Sequence, residues 1–261
     1  RRHSAAGVLQ ATSLGIGLTA LLLLTVARQD LLASWQSRMP PDAPNRFIIN
    51  IQPEQRQPLR DFFIAQGLPA PRLEPMIRGR LVAINQQPIT ATSYVDERAQ
   101  HLADREFNLS WTGELPSGNR ITAGRWHGAA PKAADGSTEF SVEQGLAKTL
   151  NLQLGDLLVY DVAGQRLAGR ITSLRQLNWD SMRVNFFVIA PPGVLEDYPR
   201  SDITSFHLPD GRGAFVNALL RAFPNLTVID VAALVRQLQT TLDQVARAGA
   251  RVRAGQRVAL G

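Results

Sequence analysis

The chain opens on its longest apolar stretch. Between His3 and Arg28, the 24 residues Ser4 to Ala27 carry no formal charge. A helix of that length rises ~36 Å and crosses a hydrocarbon core of ~30 Å with some tilt. The apolar residues concentrate in its second half (Leu14, Ile16, Leu18, Leu21 to Leu24, Val26), whereas Gln10, Thr12 and Ser13 lie in the first. Arg1, Arg2 and an apolar run also fit a signal peptide. No small-x-small cleavage site follows the run, however, and Ala27-Arg28-Gln29-Asp30 suits a retained transmembrane helix better. Beyond the span, Leu31, Leu32, Trp35 and Met39 keep a three- to four-residue spacing, so the helix continues as a stalk until Pro40, Pro41 and Pro44 stop it.

From Arg46 the pattern changes. Arg46–Ile51 reads as a buried strand, Gln52–Gln66 as a helix ended by Gly67, and Arg80–Asn85 as the next strand. A helix over Asp96–Glu106 follows, then a stretch of short strands and turns with a turn at Leu115–Asn119 and a short helix over Val142–Leu152. Asp156–Val162, Leu167–Leu174 and Val184–Ile189 read as strands, with Ala163-Gly164 a candidate hairpin turn. A second strand-helix-strand unit then runs through Thr204–Leu208, Ala214–Phe223 and Leu226–Asp230. From Val231, Leu234, Val235, Leu238, Leu242 and Val245 form an apolar stripe opposite Arg236, Gln237, Gln239, Thr240 and Asp243, an amphipathic helix. The expected fold is α+β: one N-terminal transmembrane helix, then two strand-helix-strand units flanking a strand-rich insertion. The expected division is 1–33 for the span and the start of the stalk, 34–246 for the outer domain with its insertion at about 100–195, and 247–261 for an atypical Arg/Ala/Gly tail. That tail fits a disordered basic segment, or codons read in a shifted frame where a second span would follow Val245.

Gly7, Ala11, Gly15 and Thr19 recur every four residues and place small side chains on one helix face, which in lipid admits a second helix closely. Chance also produces such spacing, because glycine and alanine are common in membrane helices. The candidate helix-packing residues are therefore Gly7, Ala11, Gly15 and Thr19, and the candidate stalk residues are Leu31, Leu32, Trp35, Leu234, Leu238 and Leu242.

Charge narrows the choice of partners. The net charge is +6, but residues 34–246 hold 21 basic and 21 acidic residues, so the whole excess lies at the two ends. A neutral body with basic ends is not the footprint of a nucleic-acid binder and suits a protein whose basic residues flank a bilayer. Arg1, Arg2 and His3 on one side against Arg28 and Asp30 on the other put the N-terminus in the cytoplasm and the large segment outside it. The chain has no cysteine, which excludes disulfide, thiolate and zinc-ribbon chemistry.

Motifs for catalysis are missing as well. The sequence holds no phosphate-binding glycine loop between a strand and a helix, no H-E-x-x-H and no G-x-S-x-G. His3, His101, His127 and His207 are scattered without metal-ligand spacing. Adjacent carboxylates at Asp96-Glu97 and Glu196-Asp197 diverge and are not arranged for acid-base work. Asp180, beside Trp179 between two strands, reads as a turn cap. No enzyme activity, cofactor or metal is expected.

Several segments carry a family resemblance. They are Pro41–Phe47, Arg78–Asn85, Arg105–Trp111, Gly145–Leu150 with Leu154-Gly155-Asp156, Trp179-Asp180-Ser181, Asn185-Phe186-Phe187 and Ile203–Phe206. In this order and spacing, over roughly residues 4–246, they resemble the FtsX-like permeases of ABC transporters, within them the YbbP-type permeases, whose outer region is a MacB-like periplasmic core domain. The resemblance implies a non-enzymatic permease subunit of the bacterial inner membrane, multi-pass in the full protein. It also implies a separate cytoplasmic ABC ATPase, other permease helices, membrane lipid and a periplasmic partner. ATP hydrolysis would move the outer domain through the stalks, in mechanotransmission, to export or extract a hydrophobic substrate. The rival reading is a single-pass anchored sensor or binding module.

Overall fold

A computed structural model of the protein describes residues 42–128, 138–231 and 233. The chain divides into two units at Ala43–Pro44, and every element below belongs to the second. Among the described residues no helix is long and apolar enough to cross a membrane. The expected span at Ser4–Ala27 lies outside them.

The fold mixes helix and strand and is dominated by sheet. The eleven strands are β1 (Arg46–Ile51), β2 (Glu74–Ile84), β3 (Gln87–Pro88), β4 (Glu106–Trp111), β5 (Asn119–Gly124), β6 (Glu139–Glu143), β7 (Leu157–Val162), β8 (Gln165–Leu177), β9 (Val188–Ala190), β10 (Ser201–Phe206) and β11 (Thr227–Asp230). Four α-helices accompany them among the described residues: α1 (Arg56–Ala65), α2 (Glu97–Asp104), α3 (Gln144–Leu150) and α4 (Gly213–Ala222).

The two strand-helix-strand units do not lie side by side. They interlock in the order β11-β1-β10-β2, all neighbours antiparallel. Each unit therefore has a strand of the other between its own two, the split arrangement of ferredoxin-like sheets. Leu59 and Phe63 of α1 and Phe215 and Leu219 of α4 pack into one core with Ile48 and Ile51 of β1. Edge-to-face rings tie that core together, Phe63 lying 4.9 Å from Phe206 and 5.0 Å from Phe215 between centroids.

The remaining strands form a closed ring. β2 pairs β4, β4 pairs β9, β9 pairs β6, β6 pairs β8, β8 pairs β7, and β7 returns to β2. Closure removes the open edges that invite strand addition, and β5 is laid on β8 outside the ring. The interior holds Leu81, Phe107, Phe140, Leu158, Tyr160, Ile171 and Val188, all nearly inaccessible. β2 belongs to both arrays. Residues 74–76 pair β10, while residues 77–84 pair β4 and β7.

Local chemistry explains several boundaries. The Asp96 carboxylate accepts from Ala99 N at 2.9 Å and starts α2, and both Glu143 oxygens accept from Gly145 N and Leu146 N at 2.6 Å to start α3. The expected helix at Val142–Leu152 is thereby shortened: Val142 and Glu143 finish β6 before the helix begins. Ala163 and Gly164 take φ of 49° and 85°, the paired positive values of a two-residue hairpin turn. β2 and β8 are longer than their apolar runs predict, whereas Val184–Ile189 contributes only Val188 and Ile189 to β9.

Candidate functional site: the junction of the two chain ends

β1 is the first strand and β11 the last, and they are neighbours. Arg46 faces Asp230 across the pair. The first and last strands of the described residues therefore meet at one point, where five contacts gather. The Arg46 guanidinium meets the Asp230 carboxylate at 2.8 Å, and Val231 N donates to Asn45 O at 3.2 Å. The Asn45 side chain bridges to the segment after β10, its Nδ2 donating to Leu208 O at 2.9 Å and its Oδ1 accepting from Leu208 N at 2.8 Å. Asp230 also accepts from Ala233 N at 2.7 Å, an N-cap at the start of the helix expected from Val231.

The sequence-predicted site residues themselves, Gly7, Ala11, Gly15, Thr19, Leu31, Leu32, Trp35, Leu234, Leu238 and Leu242, lie outside the described residues. Sequence reasoning missed the junction's own side chains. Asn45 sits in a Pro-rich connector and Asp230 at a strand end, where short polar residues are ordinary turn formers. The available signal was Asp230 immediately before an apolar stripe, the pattern of a helix cap.

Three buried polar groups stiffen the domain. Arg175 is fully buried in β8, with Nη1 donating to Asn119 Oδ1 at 2.7 Å and Nη2 to Phe186 O at 2.6 Å. Burial pulls its pKa down to about 9, while the nearby Glu143 carboxylate favours the charged form. Asp202, fully buried in β10, pairs with Arg56 at the start of α1. Burial raises its pKa against the pull of the Arg56 and Arg200 charges. Glu139 pairs with Arg125.

The described histidines, His101, His127 and His207, lie on separate segments. His101 is exposed on α2, and His207 follows β10. His127 is buried, stacked on Trp126 at 4.0 Å, with burial lowering its pKa. Among the described residues no group of three or more His, Asp or Glu could hold a metal ion. Asp180 lies in a one-turn 3-10 helix, Trp179–Ser181.

No family model matches the chain. A solved domain of a proposed permease from Porphyromonas gingivalis aligns with 72% of this chain and 82% of its own, at a TM-score of 0.31 and 11% identity, below the level that implies a shared fold. The uncharacterized ABC transporter permease YbbP of Escherichia coli (strain K12) is 40% identical over 230 residues, 88% of this chain. The chain spans only 27% of that relative's length. The permease resemblance carried by the sequence motifs is thus shown: over most of its length this chain is similar to one stretch, about a quarter, of an ABC transporter permease.

Proposed function

We propose that the chain is part of the permease subunit of an ABC transporter in the bacterial inner membrane. Residues 34–246 then form an extracytoplasmic, MacB-like core domain carried on two stalks, 30–39 and 231–245. A separate cytoplasmic ATPase supplies the energy, and the stalks convey its cycle to the outer domain by mechanotransmission, so that a hydrophobic substrate is exported or extracted at the outer face. The observation that carries this reading is the junction. A domain borne on two helices from one membrane needs both its ends at one edge, and Arg46 and Asp230 are opposite each other on adjacent strands.

The test uses the full-length permease with its ATPase in nanodiscs. Amide exchange at residues 45–49 and 227–231 is compared with and without ATP, beside a hydrolysis-deficient ATPase. The expected result is a change in exchange that requires ATP turnover. Identical exchange during steady hydrolysis overturns the coupling reading and favours an anchored binding module. Arg46→Cys with Asp230→Cys, oxidised across the strand pair, is expected to leave the fold intact and to hold these amides protected throughout the cycle.

A further inference from the structure

Away from the junction, an open cleft of about 600 Å³ lies between α2 and α3, a size within the range of small-molecule sites. Its walls differ in character. Arg98, His101 and Arg105 come from α2 and the residue after it, whereas Trp179 and Phe187 supply an aromatic side. Trp179 is 52% exposed as a residue and its ring lies 5.7 Å from that of Phe187, so a large apolar side chain meets solvent inside a concavity. Arg105 is held in place by two rings, its guanidinium 5.4 Å from Phe107 and 5.3 Å from Phe187.

The charges do not cancel locally. Among the described residues neither Arg98 nor Arg105 forms an ion pair. Two carboxylates also line the cleft. Glu143 is occupied, both oxygens accepting from the backbone of α3 and its charge facing Arg175. That leaves exposed Glu97 against two guanidinium groups. Thr149 is self-satisfied, its hydroxyl donating to Gly145 O at 2.9 Å. Guanidinium donors beside an aromatic wall suit a ligand with an anionic end and an apolar body, because guanidinium binds carboxylate and phosphate in forked geometry while the rings take the remainder.

We infer that the cleft between α2 and α3 binds an amphipathic organic anion, a single carboxylate or phosphate on an apolar or aromatic body. Such binding requires no ATP and is independent of the coupling reading. It is tested on the full-length permease in nanodiscs of zwitterionic lipid, without nucleotide, by calorimetric titration against empty nanodiscs. The probes are 1-naphthyl phosphate, neutral 1-naphthol and inorganic phosphate. Naphthyl phosphate is expected to bind at least ~10-fold more tightly than either other probe, since one charge-assisted contact and one apolar body each contribute about that factor. Arg98→Gln and Arg105→Gln are each expected to weaken it ~10-fold and Trp179→Ala by several-fold, while Arg221→Gln, on exposed α4 of the other core, leaves it unchanged. Equal binding of naphthol shows that charge plays no part, and equal binding of phosphate that the rings play none; either overturns the inference. So does undetectable naphthyl phosphate binding at 1 mM, or unchanged affinity in both arginine variants with melting temperatures at the wild-type value.

Discussion

Replacing Asn45 by alanine tests whether the junction is a fastened joint or a coincidence of two ends. The substitution removes two hydrogen bonds, from Nδ2 to Leu208 O at 2.9 Å and from Leu208 N to Oδ1 at 2.8 Å. The backbone bonds Asn45 N to Phe206 O and Val231 N to Asn45 O remain. Leu208 is 3% exposed, so its amide and carbonyl lose partners that water replaces poorly. An orphaned buried group costs roughly 1–3 kcal/mol. Asn45 itself is half-buried and leaves a path for water, which puts both groups at the low end and the total at about 2 kcal/mol. In a domain of this size that lowers the melting temperature by roughly 4–8 °C. Urea unfolding followed by far-ultraviolet circular dichroism gives the same quantity from the midpoint at constant slope. Asn45→Asp keeps the acceptor for Leu208 N and loses the donor, so a smaller loss is expected. A loss below about 0.5 kcal/mol for Asn45→Ala, the range of an ordinary surface substitution, refutes the claim that this side chain fastens the joint.

Other perturbations probe the domain at separate points. Arg175→Met leaves Phe186 O and Asn119 Oδ1 without their donor and Glu143 without its facing charge; relief from burying a cation offsets part of this, and chemical denaturation should show a net loss of about 3 kcal/mol. Gly124 has φ of +74° and an added Cβ would stand 2.1 Å from Thr172 O, so Gly124→Ala should cost more than about 3 kcal/mol or abolish soluble expression, whereas a wild-type melting temperature would disprove the close approach. Arg56→Ala strips the partner from buried Asp202; Arg56 is 39% exposed, so screening reduces the loss to about 2 kcal/mol near pH 7. Because the folded pKa of Asp202 is already raised, and rises further without Arg56, the folded state takes up a proton before the unfolded state does. The deficit should therefore shrink as pH falls through that folded value, and a pH-independent deficit between pH 7 and 4 would contradict the assignment. If the expected span packs on partner helices, Gly15→Leu should reduce co-purification with them while the domain of residues 44–231 keeps its melting temperature.

How far the fold was legible varies by element, for identifiable reasons. β1, α4 and β11 were read to within a residue, because each is a short apolar pattern bounded by a polar or glycine stop, whereas α1 starts four residues later than expected because a 3-10 turn at Pro53–Gln55 precedes it. The interlocking of the two units was not legible, since it depends on which strands pair across more than 120 residues of chain, about which periodicity is silent. β4, β5 and β6 were read only as strand-rich sequence. Glu139, Ser141 and Glu143 of β6 are buried despite their polarity, so the apolar signal of a central strand is missing there. Arg175 is the instructive case. Leu167, Gly169, Ile171, Ser173, Arg175 and Leu177 are all buried at alternate positions of β8, and period-two alternation extended past Leu174 would have turned that arginine inward. The cleft escaped notice because Arg98, Arg105, Trp179 and Phe187 come from distant segments that only the closed ring brings together.

The placement of the two ends has a mechanical consequence. β1 and β11 run antiparallel with Arg46 opposite Asp230 at the open end of the pair, so a force that draws the ends apart loads their hydrogen bonds one at a time, as a zip. A force that moves both ends together loads none of them and carries the sheet and ring as one piece, through the strand they share. The domain is therefore stiff to a common stroke and weak to a differential one. In a force-extension experiment pulling on residues 45 and 231, the first yield should come at low force, with β11 peeling away while the closed ring stays whole.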